Sequence, residues 1–454
     1  MIFDSKNIFS PEEERVLKDI NAQNEHLSVN MNTEDFLGWF TLLIIIFIAF
    51  LFIKKNPKTR NFLFVALFLR SSFVIVDQYF FALPGSMMDG WTFEHITYNY
   101  SQTYGLNIIY QLFDGSSYFL SKIMSILYTL TNTSSPMMAN MISVAVGTAT
   151  VYLIYRLTYI LWGDRIALKA GWFAALFPSL VLYSAIMLRE IYVVFFTTYA
   201  LIWCVNFIDK RKFIYFIKSF LGFFGAALFH GPMMLGFLIF LMYIFFSILK
   251  ENNYFIRFKK KNIYQLVMLP LFLIPIVTYL LGYYTIPKLG DINNFGNIKL
   301  EDQSKVSNLK ERLIYKIGRA TRSTFDSNTG SSFPSWTVPE DTAEIIYLTP
   351  VRMFYFLYAP FPWDIKRPAH LMGLFDVIFY IYLSFCIFRN RKILFENPKT
   401  RFLIIVFAVY VAVYSFGVGN FGTTIRHRVK FVEILIAIAA PLILKIKFSK
   451  IRLN

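Results

Sequence analysis

The chain has 454 residues, 56% hydrophobic and 19% aromatic, with 16% charged and a formal net charge of +17. Soluble chains carry about 25% charged residues, so disorder, a disulfide scaffold and a coiled coil are excluded. Apolar runs of about 18 or more residues cross a bilayer as helix, and the sequence predicts an all-α polytopic transmembrane bundle with one hydrophobic body.

Residues 1–35 carry eight acids and three bases; the stretch is polar, and no cleavable signal peptide is read there. The first span, about 36–53, ends at Lys54, Lys55, Lys58 and Arg60, which places its basic end in the cytoplasm and the N-terminus outside. The second, about 61–83, returns outward to a loop over 84–135 with helical pieces on the membrane. Further spans are predicted at about 136–161, 166–185 and 191–208, then a hairpin, about 213–229 and 233–249, turning at His230-Gly231-Pro232. An eighth span, about 263–284, leads to the longest polar stretch, 285–342. Within it, Val306, Leu309, Leu313, Ile314 and Ile317 recur at helical spacing and predict an amphipathic helix on the outer surface over 301–322. A structural lid and a substrate grip both suit it.

The basic Arg389, Arg391 and Lys392 belong inside, so 371–388 must run inward. The apolar stretch 344–363 is therefore read as an outside interfacial or re-entrant element, for which Pro350, Pro360, Pro362 and Pro368 suit a broken helix. Spans at about 402–416 and 429–444 complete about eleven, with a cytoplasmic C-terminus in the inner (plasma) membrane. The chain divides into an acidic segment 1–35, a core 36–284, an outer region 285–370 and terminal spans 371–454. Lys and Arg gather in short loops between spans, which suits anionic headgroups rather than nucleic acid. Cys204 and Cys386 lie in apolar runs and read as small core residues. The pentapeptide Asn-Pro-Lys-Thr-Arg at 56–60 and 397–401 reads as two helix entrances, with an internal duplication as the alternative.

Ionisable residues at membrane depth are costly and mark function by default. Here they gather at the expected outer face: Asp89 and Glu94 after span two, Arg189 and Glu190 after span four, His230 on the hairpin, and Arg426, His427, Arg428 and Lys430 after a Gly-rich turn. Arg352, inside the 344–363 stretch, joins the substrate-binding candidates. Carboxylates facing cations on one surface suit transfer of a sugar from a lipid phosphate. The carboxylate takes a proton from the incoming hydroxyl, and the cations stabilise the departing phosphate. Arginine forks match phosphate oxygens. Structural alternatives stand beside these readings: a helix cap for Asp89, an ion pair for Arg189 and Glu190, and helix–helix pairing for Arg70 and Asp77. His95 and His230 lack a metal-ligand spacing.

Leu69-Arg70, then Asp89-Gly90-Trp91-Thr92-Phe93, resembles the opening of GT-C glycosyltransferases. Gly163-Asp164-Arg165-Ile166-Ala167, Ala174 to Pro178, Tyr183-Ser184 and Leu188-Arg189-Glu190 are similar to the protein O-mannosyltransferase and aminoarabinose transferase branch. Phe361-Pro362-Trp363 and Ile425-Arg426-His427-Arg428 resemble bacterial polysaccharide members. The resemblance covers about half the chain. It implies a polyprenyl-linked sugar donor, chemistry on the extracytoplasmic face, Asp89 as the catalytic first-loop acid and Glu190 as a second loop acid. The first loop lacks the paired acids of well-known branches, which leaves a divalent metal (Mg or Mn) open.

The leading expectation is a membrane glycosyltransferase. Asp89, Glu190 and His230 form its catalytic set; Arg189, Arg426, His427, Arg428, Lys430, Arg352 and Glu94 bind substrate. Its partners are the lipid-linked donor, a saccharide or glycolipid acceptor and other polysaccharide-assembly proteins. A polysaccharide polymerase of the O-antigen or capsule type is the close alternative, and a lipid-linked sugar flippase the more distant one.

Overall fold

The computed structural model describes residues 33–113, 118–251, 332–337, 342–365 and 368–443. Most of the acidic N-terminal segment, the span at about 263–284, the amphipathic helix over 301–322 and the basic C-terminal tail lie outside the described residues.

The described residues are overwhelmingly helical. They form α1 (Thr33–Lys55), α2 (Arg60–Tyr79), α3 (Trp91–Tyr104), α4 (Phe119–Thr131), α5 (Pro136–Trp162), α6 (Asp164–Leu176), α7 (Pro178–Ala185), α8 (Glu190–Lys210), α9 (Phe213–Phe229) and α10 (Leu235–Glu251). After these come α11 (Thr342–Tyr358), α12 (Pro368–Glu396), α13 (Pro398–Phe416), α14 (Phe421–Arg428) and α15 (Val432–Ala439). Among the described residues there is no strand, only an isolated bridge between Ser332 and Asn420.

Among the described residues, six helices are long and apolar enough to cross a membrane: Thr33–Lys55, Pro57–Tyr79, Pro136–Trp162, Glu190–Lys210, Gly373–Glu396 and Pro398–Phe416. The α6–α7 pair, bent by 55°, makes a seventh if it is one span. The sequence predicts about eleven. Part of the difference is that α9 and α10 have 17 residues each, and the expected span over 429–444 holds only the eight-residue α15. The large apolar side chains of α1, such as Phe36, Phe47 and Ile48, stand exposed, as on a helix wetted by lipid.

Local signals explain the boundaries. Ser135 caps α5 by accepting from the Met138 amide, with Pro136 in the first turn. Gly163, at φ 79°, ends it. Asn397 caps α13 through the Lys399 amide, whereas the other copy of the pentapeptide forms a 3-10 turn, Pro57–Thr59, that leads into α2. Helices α8 and α9 approach backbone to backbone: a Cβ on Gly222 would lie 2.8 Å from the Ala200 amide nitrogen. Contrary to the expected break, α11 runs unbroken through Pro350. Losing one helical bond costs about 3 kcal/mol; burying Leu348 and Phe356 on either side returns about 1.5–3 kcal/mol each.

The expected continuous span over 166–185 is broken at Phe177-Pro178. Pro178 has no amide hydrogen for the Ala174 carbonyl and its ring pushes that carbonyl away. The buried Arg70 takes up the loose ends, donating to the Ala174 (3.4 Å) and Ala175 (3.1 Å) carbonyls and to Ser184 Oγ (3.2 Å). On the other side of the break, the Ser179 amide donates to Asp376 Oδ1 at 3.3 Å. Arg70 thus braces a broken helix. Asp77 instead accepts from the Leu83 amide (2.6 Å) and Ser86 Oγ (2.7 Å), which pins the chain leaving α2.

Candidate functional site

The chain turns at one end of the bundle bring most of the sequence candidates together. Gly85, at φ 93°, starts a single wide turn, Ser86–Gly90, that carries Asp89. This turn lies against α7–α8: a Cβ on Gly90 would come within 2.7 Å of Ile186 Cγ2. Glu190 opens α8 just beyond. From the other side comes α14, capped by Asn420 through the Thr423 amide, and the 3-10 turn Val429–Phe431 that follows it. Residues 426, 427 and 430 share one face of a helical path, and 428 falls on the opposite face.

Arg426 is the bridge. Its Nε donates to Glu190 Oε1 at 2.8 Å, and its other arm pairs with Asp89. Lys430 Nζ lies 3.4 Å from the same Glu190 oxygen, and Arg189 Nε lies 4.0 Å from it. Glu190 and Lys430 side chains are fully buried, but Asp89 is 56% exposed. Lys430 Nζ also meets His427 Nδ1 at 3.3 Å. The His427 ring packs on His230 (5.7 Å) and Tyr414 (5.6 Å). Burial, then the neighbouring cations, push both imidazoles well below their ordinary titration range, so they are neutral. Two buried atoms here, Glu190 Oε2 and His230 Nε2, have no hydrogen-bond partner.

Two predicted substrate-binding arginines sit elsewhere, with their donors taken. Arg428 grips Asp376 through Nε (3.2 Å) and Nη2 (3.0 Å) and also donates to the Leu357, Ala359 and Gly373 carbonyls. Arg352 donates to the Ser415, Thr337 and Val418 carbonyls, which fastens α11 to the end of α13. Both are fully buried. The reason is geometric: each guanidinium faces a helix end whose carbonyls lack intrahelical partners.

Glu94 is placed apart from the cations, one turn further along α3. Tyr128 Oη reaches Glu94 Oε1 at 3.5 Å. Burial, then the nearby Glu34 carboxylate, raise Glu94 to about 7. It lines a cavity of about 420 Å³ bounded by the start of α1, the end of α2, the start of α3 and the start of α5. Gly90 and Met87, which flank Asp89, and Met187, just before Arg189, line the same cavity. His95 stacks on Trp91 at 5.2 Å. Among the described residues no group of three or more His, Cys, Asp or Glu side chains is placed to hold a metal ion; Arg426 occupies the space between Asp89 and Glu190.

Sequence reasoning missed Asp376, although a lone acid in an apolar run is itself a signal. It also missed Asn140 and Tyr414, which carry no motif. The chain matches no family model, no curated protein and no solved structure.

Proposed function

We propose that this protein is a membrane glycosyltransferase that moves a sugar from a polyprenyl-phosphate-linked donor to an acceptor hydroxyl, in cell-surface polysaccharide or glycoconjugate synthesis. The observation that carries the reading is Arg426, held from beneath by a buried carboxylate and from above by an exposed one. The two pairs differ in kind. Asp89 is 56% exposed while Arg426 is 13% exposed, and a pair with one member in water is held by only about 1 kcal/mol, so an arriving phosphate can displace Asp89 from Arg426. The buried Glu190 stays and keeps Arg426, Lys430 and Arg189 converged. Asp89, freed of its cation, has its carboxylate oxygens open to the acceptor hydroxyl.

In the transfer step the acceptor oxygen attacks the anomeric carbon and its proton passes to Asp89. The bond from that carbon to the phosphate oxygen breaks, and the phosphate leaves with the electron pair. Arg426 and Lys430 stabilise its charge, and Glu190 is a positioning residue. His230 Nε2 is open to a phosphate oxygen or a bridging water.

The resemblance to GT-C enzymes supports this reading, and so does the sorting of charge. Lys58 with Asp164 (2.6 Å) and Lys399 with Asp209 (3.2 Å) sit at the opposite end of the bundle, which the positive-inside rule assigns to the cytoplasm. The site then faces out of the cell across the inner membrane. One observation favours a polymerase moving whole repeat units: Arg189, Arg426 and Lys430 crowd one buried carboxylate, a concentration of positive charge suited to a pyrophosphate. Reconstituted protein given lipid-linked sugar and acceptor should release free lipid phosphate, and Arg426→Gln should abolish release. A ladder of products marks a polymerase and a single addition a transferase. Movement of intact donor across the vesicle, with every bond kept, overturns both.

A further inference from the structure

The cavity beside the cation cluster is chemically one-sided. Glu34, Asp35, Asp77 and Glu94 line it, and no Lys or Arg does among the described residues. Its charged groups are all carboxylates, from three separate elements, and Gln78, Tyr79, Ser86 and Ser135 add groups that both donate and accept. The Asn140 amide is the second observation. Asn140 is only 7% exposed, it lines the cavity, and its Oδ1 has no hydrogen-bond partner. A buried polar atom left unmade costs about 1–3 kcal/mol, and α5 tolerates that cost where the cavity meets it. Trp91 supplies an aromatic side chain in the same wall.

The wall is also built to stay in place. Tyr79 Oη donates to Asp35 Oδ1 at 3.0 Å and accepts from Trp39 Nε1 at 3.2 Å. Ser135 Oγ donates to the Glu34 carbonyl at 2.6 Å, which ties the start of α1 to the start of α5. These bonds hold the acids around the space without neutralising them. A wall whose charged groups are all carboxylates favours a ligand rich in donors, and about 420 Å³ is within the range of small-molecule sites.

We propose that this cavity is a saccharide subsite, binding one pyranose ring of the acceptor through its hydroxyl or amino hydrogens, with Asn140, Glu94 and Trp91 as the recognising residues. The proposal rests on the glycosyl-transfer reading for the word acceptor. The binding itself needs no donor lipid. Because the cavity abuts the turn that carries Asp89, a ring seated there sits next to the base.

The test is saturation-transfer NMR on the full chain in lipid nanodiscs with no donor present. The probes are a methyl hexopyranoside and the corresponding 2-amino-2-deoxy glycoside. Transfer to either probe is expected, and should fall at least roughly fivefold in Asn140→Leu and Trp91→Ala. Glu94→Gln keeps the shape, should leave the neutral glycoside bound, and should weaken the amino one. Signal from the amino glycoside alone assigns an ammonium ligand, and signal from both assigns hydroxyl recognition. No transfer to either probe, undiminished transfer in both variants, or displacement by ethanolamine in place of a sugar overturns the proposal. Sugar binding without any glycosyl transfer leaves this subsite standing and removes the catalytic reading. Transfer without sugar binding does the reverse.

Discussion

Replacing each carboxylate that Arg426 touches should separate anchor from base. In Glu190→Gln the carboxamide is nearly isosteric, but Arg426 and Lys430 lose their buried counter-charge. Lys430 is fully buried and lies 3.4 Å from the carboxylate, so its ammonium is left in a low-dielectric pocket. Breaking a buried pair costs about 3–5 kcal/mol; the Gln oxygen still accepts from Arg426 Nε, which puts the expected loss near 3 kcal/mol. In Asp89→Asn the carboxylate lost is 56% exposed and Arg426 keeps its buried partner Glu190, so the cost should be about 1 kcal/mol. Equilibrium unfolding in mixed micelles, followed by tryptophan fluorescence, measures both. Transfer should behave differently: Asp89→Asn is expected to slow it about 10²–10⁴-fold, the worth of a positioned base, with the protein still folded. Equal destabilisation by the two changes, or unchanged transfer in Asp89→Asn, refutes the division of labour.

Asp376→Asn strands the buried Arg428 charge and should cost about 3–5 kcal/mol, whereas the double change Asp376→Leu with Arg428→Met should recover most of it in the same unfolding assay. Gly222→Val drives a side chain into the Ala200 backbone and should lose at least about 1–3 kcal/mol. Glu94 titrates near 7 in place of its ordinary 4.5, so the folded protein holds a proton that the unfolded chain has released. Stability should therefore fall as pH rises from about 4.5 to about 7, by at most about 3 kcal/mol. Glu34, Asp35, Asp77 and Tyr128 also face that carboxyl, and unfolding of Glu94→Gln should lose most of this dependence on pH.

The helices were legible because a bilayer-length apolar run leaves little choice of structure, and Ser135, Asn397 and Gly163 mark ends by local chemistry alone. The meeting of Asp89 with Arg426 was legible for a related reason: alternating spans carry every second turn to the same end of a bundle. What the sequence did not disclose was which partner each base takes. Arg426, His427 and Lys430 share a face, but only packing against α12 shows that Arg428 serves Asp376. Arg352 likewise reads as a cation looking for an anion, yet it binds helix-end carbonyls. The break at Pro178 was hidden because the apolar run continues straight through it, and its two caps, Arg70 and Asp376, lie 306 residues apart.

The arrangement around Asp89 also bears on the order of events. On one side lies a cluster of cations over a buried carboxylate; on the other lies a cavity whose wall is acidic. An anionic lipid phosphate is repelled from the cavity and drawn to the cluster, and a donor-rich sugar has the opposite preference. Asp89 stands at the boundary, paired with Arg426 until a phosphate competes for that guanidinium. If the pair breaks only then, the base is released only when the leaving group is already in place. On the proposed mechanism, an acceptor arriving alone meets a carboxylate whose oxygen is already engaged by Arg426. Donor binding should therefore precede productive acceptor binding, and initial-rate kinetics with both substrates varied should give an ordered pattern, with the acceptor-free protein still binding lipid phosphate. A random order, with equal rates from either binary complex, would mean that the Asp89–Arg426 pair does not gate the base.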